Sequence, residues 1–411
     1  MSRLPRRLQP LWPLVKRLHR WATGLLGAVF RRTSRLSGGR ALPTRATERS
    51  LDTAARDPSH VTVHRGGPAE QLVRSMPVGE PPEHAAFEPW LRRTVSARYV
   101  LEVQDGLVVG DYAATIAPGG GGERVLDYET SGYFGISGWR EHPLFLRPRL
   151  PTPTHVPGTL VSLATRGTST NYYHFLTDLL PRWGILEEAL PGTPVDAVYL
   201  STRTSYQRQL LALVGLDPLP VVEVEKDACL APDRLLVPST PNQDLMAPPW
   251  VVDWLRARLP ASADLGGRAR GLYVTRGSTP NTRRYVEEPD LWPALEARGF
   301  TRLDPGTVSV QEQIDAFAAA EVIVAPHGAA LANLVFARPG VRVLELFAPD
   351  YVNPCYWAIT QSLPDATYRY LVAGQPAEVA AAERRPMTGV LRDISIPPDR
   401  VLAALDALVG D

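Results

Sequence analysis

The chain is short of what the commoner enzyme signatures require. Its 411 residues hold two cysteines, Cys229 and Cys355, far apart and in no CxxC or metal-ligand spacing. No disulfide framework is implied, and a reducing, cytosolic setting is expected. No Asp-x-Asp pair occurs anywhere, which speaks against a divalent metal held by carboxylates. No GxGxxG follows a strand pattern, and GxxxxGKS/T, GxSxG and HExxH are missing. These gaps disfavour dinucleotide oxidoreductases, P-loop enzymes, α/β-hydrolases and zincins. Long apolar runs are also absent. The longest uncharged stretch near the N-terminus, Trp21 to Phe30, has ten residues, about half of what a spanning helix needs.

What is present is a globular composition, 44% hydrophobic and 21% charged, long enough for about two domains plus appendages. The net charge of +1 conceals an asymmetry. Residues 1–50 carry twelve Arg or Lys against the single acid Glu48, so the remainder is net acidic by 10. A basic arm on an acidic body calls for an anionic surface as partner to the arm alone. Leu11, Leu14, Val15, Leu18, Trp21, Leu25 and Val29 recur at helical spacing, with Lys16, Arg17, Arg20 and Arg31 opposite. Residues 10–32 therefore read as a helix lying on an anionic membrane, with no nucleic-acid partner. A disordered basic tail is another reading, since Gly24 and Gly27 weaken the helix, and a cleaved signal peptide is a third, against which stand the short apolar run and the Arg31-Arg32 that follows it.

Residues 33 to about 94 read as a Pro-, Ser- and Gly-rich linker. From Tyr99 the pattern is β-like, and the Gly119–Gly122 run reads as a hairpin tip. From Leu160 strands and helices alternate, with a helix over Asn171 to Leu190 bent at Pro181. The polar stretch Ala261 to Arg270 is the expected boundary. A second alternating block starts at Leu272-Tyr-Val-Thr. It includes a helix opened by Ser309 with Glu312 at the capping-box position, and Val341 to Phe347 closes its sheet. Two such blocks imply an α/β fold of two doubly wound sheets facing a cleft.

Two stretches carry chemistry. Val322-Ile-Val-Ala-Pro-His-Gly-Ala-Ala-Leu-Ala-Asn is a buried strand that delivers a small-residue turn to a helix N-terminus, where free N–H groups favour an anion. Gly328 and Ala329 admit close approach, and His327 adds a donor. Arg276, Arg283 and Arg284 follow the first strand of the same block. Guanidinium groups suit phosphate, so together these groups fit a diphosphate held without a metal. A solvated basic loop and a turn-capping His would leave the same trace. In Asn171-Tyr-Tyr-His-Phe-Leu-Thr-Asp, His174 and Asp178 share a helical face. The pair suits proton removal from a hydroxyl, and equally a satisfied pair on a helix surface.

In order, Asn-Tyr-Tyr-His-Phe-Leu-Thr-Asp-Leu-Leu-Pro-Arg, Val-Thr-Arg…Arg-Arg-Tyr-Val-Glu-Glu, Gln-Glu-Gln-Ile, His-Gly-Ala-Ala-Leu-Ala-Asn and Val-Leu-Glu-Leu resemble glycosyltransferase family 61. Some of its bacterial members are associated with capsular polysaccharide biosynthesis. The resemblance covers roughly residues 95–375 and is strongest from Leu272 to Phe347. It implies a GT-B architecture with two Rossmann-like domains and an inverting, metal-independent transfer without a cofactor. The implied donor is a UDP-linked nucleotide sugar and the acceptor a glycan or glycolipid. Carried over, Arg276, Arg283, His327, Gly328, Ala329 and Asn333 would hold the donor. Glu345 would meet the ribose, and Asp178, with His174 next, would be the base. Glu287 stands where the family usually has Asn, which bears on donor identity.

The expected layout is an arm and linker over 1–94, an acceptor-side domain over 95–262 and a donor domain over 263–375. A helical tail over 376–411 would pack back on the N-terminal domain. Pyruvyl-type transfer and a non-catalytic nucleotide-sugar-binding scaffold are the alternatives.

Overall fold

A computed structural model describes residues 12–132, 136, 138–242, 245–266, 269–277, 283–374 and 392–410. Leu11, and the part of the expected tail from 376 to 391, lie outside the described residues. The chain is mixed α/β around two main sheets.

The first sheet has ten strands. Thr154–Ser162, Ala197–Leu200, Val221–Glu223 and Cys229–Pro238 are mutually parallel. Tyr99–Gln104 and Leu107–Val109 then add antiparallel to Cys229–Pro238. The sheet is therefore mixed, where alternating strand and helix patterns had implied a doubly wound one. The hairpin expected at Gly119–Gly122 joins Ala114–Pro118 to Arg124–Asp127.

The second sheet is six-stranded and parallel throughout, in the order 300–303, 271–274, 322–326, 342–347, 367–372, 78–80. Arg342–Phe347 does not close it. Thr367–Val372 lies beyond, and Val78–Glu80 adds the far edge. The stretch read as a linker thus holds strands that join both sheets, because Val61–Arg65 pairs with Tyr99–Gln104 in the first. Phe87 of this stretch is fully buried, with its ring 5.4 Å from Trp357 and 4.9 Å from Tyr370. Truncating such a residue costs about 3–5 kcal/mol.

One hydrophobic cluster runs through both halves, joining Leu179, Val251 and Leu255 to Val274, Phe317 and Phe347. Polar bonds cross the same seam. Arg256 Nη1 donates to the carbonyls of Val335 and Ala337 at 2.9 and 2.8 Å, and the Val310 N–H donates to Gln209 Oε1 at 2.7 Å. The final helix, Pro398–Gly410, differs from expectation. It packs on strands 342–347 and 367–372 of the second sheet, burying Val401, Leu405 and Leu408 there. Its apolar face matches that sheet's outer surface, which carries Leu344, Leu346 and Leu371.

The N-terminal helix spans Trp12–Thr33 and leans on the turns Trp139–Glu141 and Pro143–Leu146. It docks through Gly27 and Phe30: Gly27 is buried, a Cβ there would sit 3.5 Å from Phe145, and Phe30 packs against the cluster that holds Phe145. Arg31, expected on the outward polar face, instead lies over the rings of Phe145 and Trp139 at 5.0 and 5.3 Å. Leu18, Trp21, Leu25, Leu26 and Val29 are left exposed, Trp21 to 70%.

Candidate functional site

The seam between the sheets opens into a cavity of 240 Å³ lined by Asn171, Tyr172, Arg276, Arg283, Gly328 and Ala329, among others. It lies at the carboxyl ends of Gly271–Val274 and Val322–Pro326, where parallel sheets receive ligands.

Strand 271–274 delivers Arg276 to the cavity. Behind it, buried Glu288 accepts from Tyr273 OH at 3.0 Å and from Thr275 Oγ1 at 2.8 Å, and pairs with Arg302. Arg276 Nη1 reaches the carbonyl of His327 at 3.3 Å. Gly328 makes this possible, because a Cβ there would lie 2.0 Å from the same nitrogen. Arg283 has a left-handed backbone, φ 74°, which is uncommon for a non-glycine residue. Its guanidinium stands 5.3 Å from the ring of Tyr351. Its buried Nε has no hydrogen-bond partner among the described residues. Burial first and the positive charge of Arg283 second push the Arg276 pKa down to about 10. Two repelling cations with an orphaned donor beside a small-residue turn form a site that an anion would satisfy.

The turn passes into Ala329–Phe336, which is wound as a 3-10 helix rather than an α-helix. His327 is buried, and Nδ1 pairs with Glu345 Oε1 at 2.5 Å. Glu345 is completely buried, and its Oε2 accepts from Tyr368 OH at 2.5 Å. The structure thus places Glu345 behind His327, where it buttresses the imidazole instead of facing the cavity as a ribose ligand would. Burial, then the charges of Arg283 and Arg276, hold His327 well below its ordinary pKa. Burial holds the Glu345 carboxyl well above its ordinary range, with the Tyr368 bond opposing.

Asn333 is also not at the cavity wall. It is fully buried, with Oδ1 accepting from Tyr172 OH at 2.7 Å and Nδ2 donating to Gln313 Oε1 and the Ala330 carbonyl. The Tyr172 bond ties the turn's helix to the opposite half of the chain, and the other two hold it within its own. Glu287 likewise points elsewhere, joined through Oε1 to Ser395 and through Oε2 to the Ile396 N–H at 3.2 Å. Arg284 turns away from Arg276 and pairs with Asp393 at 3.2 Å.

The helix expected over Asn171 to Leu190 is present in three pieces. Asn171 caps it by accepting from the Tyr173 N–H at 2.9 Å. A π-turn over Phe175–Leu179 follows, then Leu180–Ala189. Pro181 has no N–H for the carbonyl one turn back, and the wider π-turn absorbs the missing bond. His174 and Asp178 then face each other, Nδ1 to Oδ2 at 2.6 Å, both buried. Asp178 Oδ1 accepts from Asn242 Nδ2 at 2.8 Å and from Thr177 Oγ1 at 3.1 Å. Both carboxylate oxygens are therefore occupied, and Asp178 orients the imidazole.

The two His–carboxylate pairs are joined by aromatic contacts. The Tyr173 ring is 5.5 Å from His174 and 5.6 Å from Tyr356, whose ring is 5.1 Å from His327. Tyr356, Tyr368 and Asn242 escaped the sequence reading. The signal available was the charged Glu345 inside an otherwise apolar strand, which asks for buried partners. Among the described residues no group of three or more His, Cys, Asp or Glu side chains could share a metal ion.

Fold and site define an α/β protein with a cationic, small-residue pocket at the seam of two sheets. Residues 172–344 match the family described as Glycosyltransferase 61. The matched segment begins at Tyr172 and ends one residue before Glu345, so it spans His174, Asp178, Arg276, Arg283 and His327. No curated protein matches the chain. A glycosyltransferase takes a donor and an acceptor, and the cavity lies where the two halves meet.

Proposed function

We propose that the chain is an inverting, metal-independent glycosyltransferase of GT-B architecture. It moves a hexose or pentose from a UDP-linked donor to a hydroxyl of a polysaccharide or glycolipid. The observation that carries this reading is the cradle: Arg276 and Arg283 beside the Gly328–Ala329 turn, with an orphaned guanidinium nitrogen. The leaving diphosphate gains charge as the glycosidic bond breaks. Fixed cations in a desolvated site hold that charge better in the transition state than in the ground state. Each charge-assisted bond contributes about 1.5–3 kcal/mol.

On the acceptor side, His174 is the group we assign as base, with Asp178 holding its tautomer. This reverses the order expected from sequence, because both oxygens of Asp178 are engaged. The N-terminal helix lies on the cytoplasmic face of the plasma membrane, and no described helix is long and apolar enough to cross one. Capsular or related surface polysaccharide assembly is the setting this supports.

The test is a thermal-shift panel of UDP, GDP and phosphoenolpyruvate, followed by turnover of nucleotide sugars. A ligand at a hundred times its Kd stabilises by about 2.7 kcal/mol. UDP should raise the melting temperature of the wild type and not of Arg276→Ala. Stabilisation by phosphoenolpyruvate alone, or wild-type turnover in Arg276→Ala, would sink the reading.

A further inference from the structure

The pair formed by His327 and Glu345 does more than the donor cradle requires. A histidine that only lent a hydrogen bond to phosphate could be fixed by a backbone carbonyl. Here it is fixed by a carboxyl that is itself completely buried and held from behind by Tyr368. Resting on the glycosyl-transfer reading above, we propose that His327 passes a proton from Nε2 to the departing diphosphate, and that Glu345 replaces it through Nδ1.

The geometry supports each part. Among the described residues, the His327 ring is hydrogen-bonded through Nδ1, at 2.5 Å, while its carbonyl accepts from Arg276, so the ring sits directly beside the cradle with Nε2 unengaged. Burial keeps the pair net neutral, with one proton shared along the Nδ1 contact. Whether that proton rides on oxygen or nitrogen, the ring's other proton sits on Nε2. The imidazole therefore carries a proton on Nε2 in either state.

The groups around the pair are few. Arg276 and Arg283 approach from the cavity side, Tyr368 from strand 367–372, Cys355 and Tyr356 from helix Cys355–Thr360, and Tyr351 with its ring 5.4 Å from that of His327. Arg283 favours a carboxylate once its proton has gone, and the Tyr368 hydroxyl is already bonded to it.

The step balances. The bond from the anomeric carbon to the diphosphate oxygen breaks, and its electron pair stays on that oxygen. The leaving group takes the Nε2 proton, and the Glu345 proton moves to Nδ1, leaving a neutral imidazole and a carboxylate. The acceptor oxygen bonds to the anomeric carbon and gives its proton to His174. One proton enters at the pair on the first half of the chain and one leaves at the pair on the second. Solvent resets both after product release.

The test compares wild type, Glu345→Gln and Tyr368→Phe with one nucleotide sugar, reading kcat against pH, donor Kd and melting temperature. A glutamine has no acidic proton to give, so nothing can replace the Nε2 proton through Nδ1 once it leaves. We expect kcat to fall by about a hundredfold or more in Glu345→Gln, beyond any change in Kd, with loss of the alkaline limb of the profile. Tyr368→Phe removes a bond that stabilises the carboxylate, so it should move that limb to higher pH without abolishing turnover. Wild-type kcat and an unchanged limb in Glu345→Gln would overturn the proposal. If that variant does not fold, an unmoved limb in Tyr368→Phe does so instead. A wild type that transfers from no nucleotide sugar removes the underlying reading, whereas an active wild type with an indifferent Glu345→Gln removes only the relay.

Discussion

Arg276 lies against Gly328 so closely that one added carbon would sit 2.0 Å from its Nη1. The backbone of Gly328 is extended, so alanine is conformationally acceptable there and the conflict is purely with the guanidinium. Gly328→Ala should therefore fold normally and displace Arg276 from the cradle. Losing one charge-assisted contact costs about 1.5–3 kcal/mol, or roughly ten- to a hundredfold in nucleotide affinity. Calorimetry with UDP reads it, together with an unchanged melting temperature for the free protein. Wild-type affinity in this variant would show that the guanidinium can serve from elsewhere.

Asp178 holds His174 while bonded to Asn242 and Thr177. Asp178→Asn keeps the shape but presents an amide where Nδ1–H needs an acceptor, which disfavours the working tautomer. Turnover should fall by about 10²–10⁴ while the donor Kd stays within severalfold. His174→Gln should match it, and the double variant should be no worse than either single one. Additive losses would mean that the two act separately.

How far the sequence foretold this arrangement depended on whether the information was local. Strand Val322–Pro326 and its turn were legible because a short apolar run meeting Gly and Ala has few other uses. The capping box of Ser309 and Glu312 was legible for the same reason, and both of its bonds form. Val78–Glu80 was not. Its pairing with Arg369–Leu371 joins residues nearly three hundred positions apart, which no local pattern encodes. In the site, His174 with Asp178 and the arginines were found by spacing and by motif. Glu345 and Asn333 were recognised as important but placed on the wrong side of their elements. A strand pattern does not say which buried partner a lone carboxyl will meet, and here Tyr368 came from a strand that the pattern had missed.

Acid should weaken the fold through a residue remote from the cradle. His142 is buried, its Nδ1 accepting from the Leu144 N–H at 3.1 Å and its Nε2 lying 3.2 Å from the Ser131 carbonyl. A second proton would break the first bond, and burial pushes the pKa down to about 4. The folded value lies below the unfolded one, near 6.5, so the unfolded chain binds more protons between the two. The stability His142 allows is complete above pH 6.5 and declines as pH falls toward 4, by about 3 kcal/mol in all. Urea melts from pH 4.5 to 7.5 should show this slope in the wild type and a shallower one in His142→Gln. Parallel slopes would place the acid sensitivity elsewhere.

The outward face of the N-terminal helix makes the last prediction. Leu18, Trp21, Leu25 and Val29 point away from the body, while Gly27 and Arg31 hold the helix to Phe145 and Trp139. Docking through Gly27, Phe30 and Arg31 leaves the rest of the apolar stripe aimed outward, with Arg17, Arg20 and Arg32 also exposed nearby. A bilayer with anionic headgroups satisfies both features at once. Each large apolar side chain that enters the interface contributes about 1.5–3 kcal/mol. Replacing Trp21 and Leu25 together by glutamate should then lower recovery on anionic vesicles by roughly a hundredfold or more. Removing residues 1–35 should do the same, and raised salt should weaken the wild type in part. Turnover of a soluble acceptor should survive the double substitution, since neither side chain approaches the cavity. Equal flotation of wild type and double variant would show that this stripe serves something other than lipid.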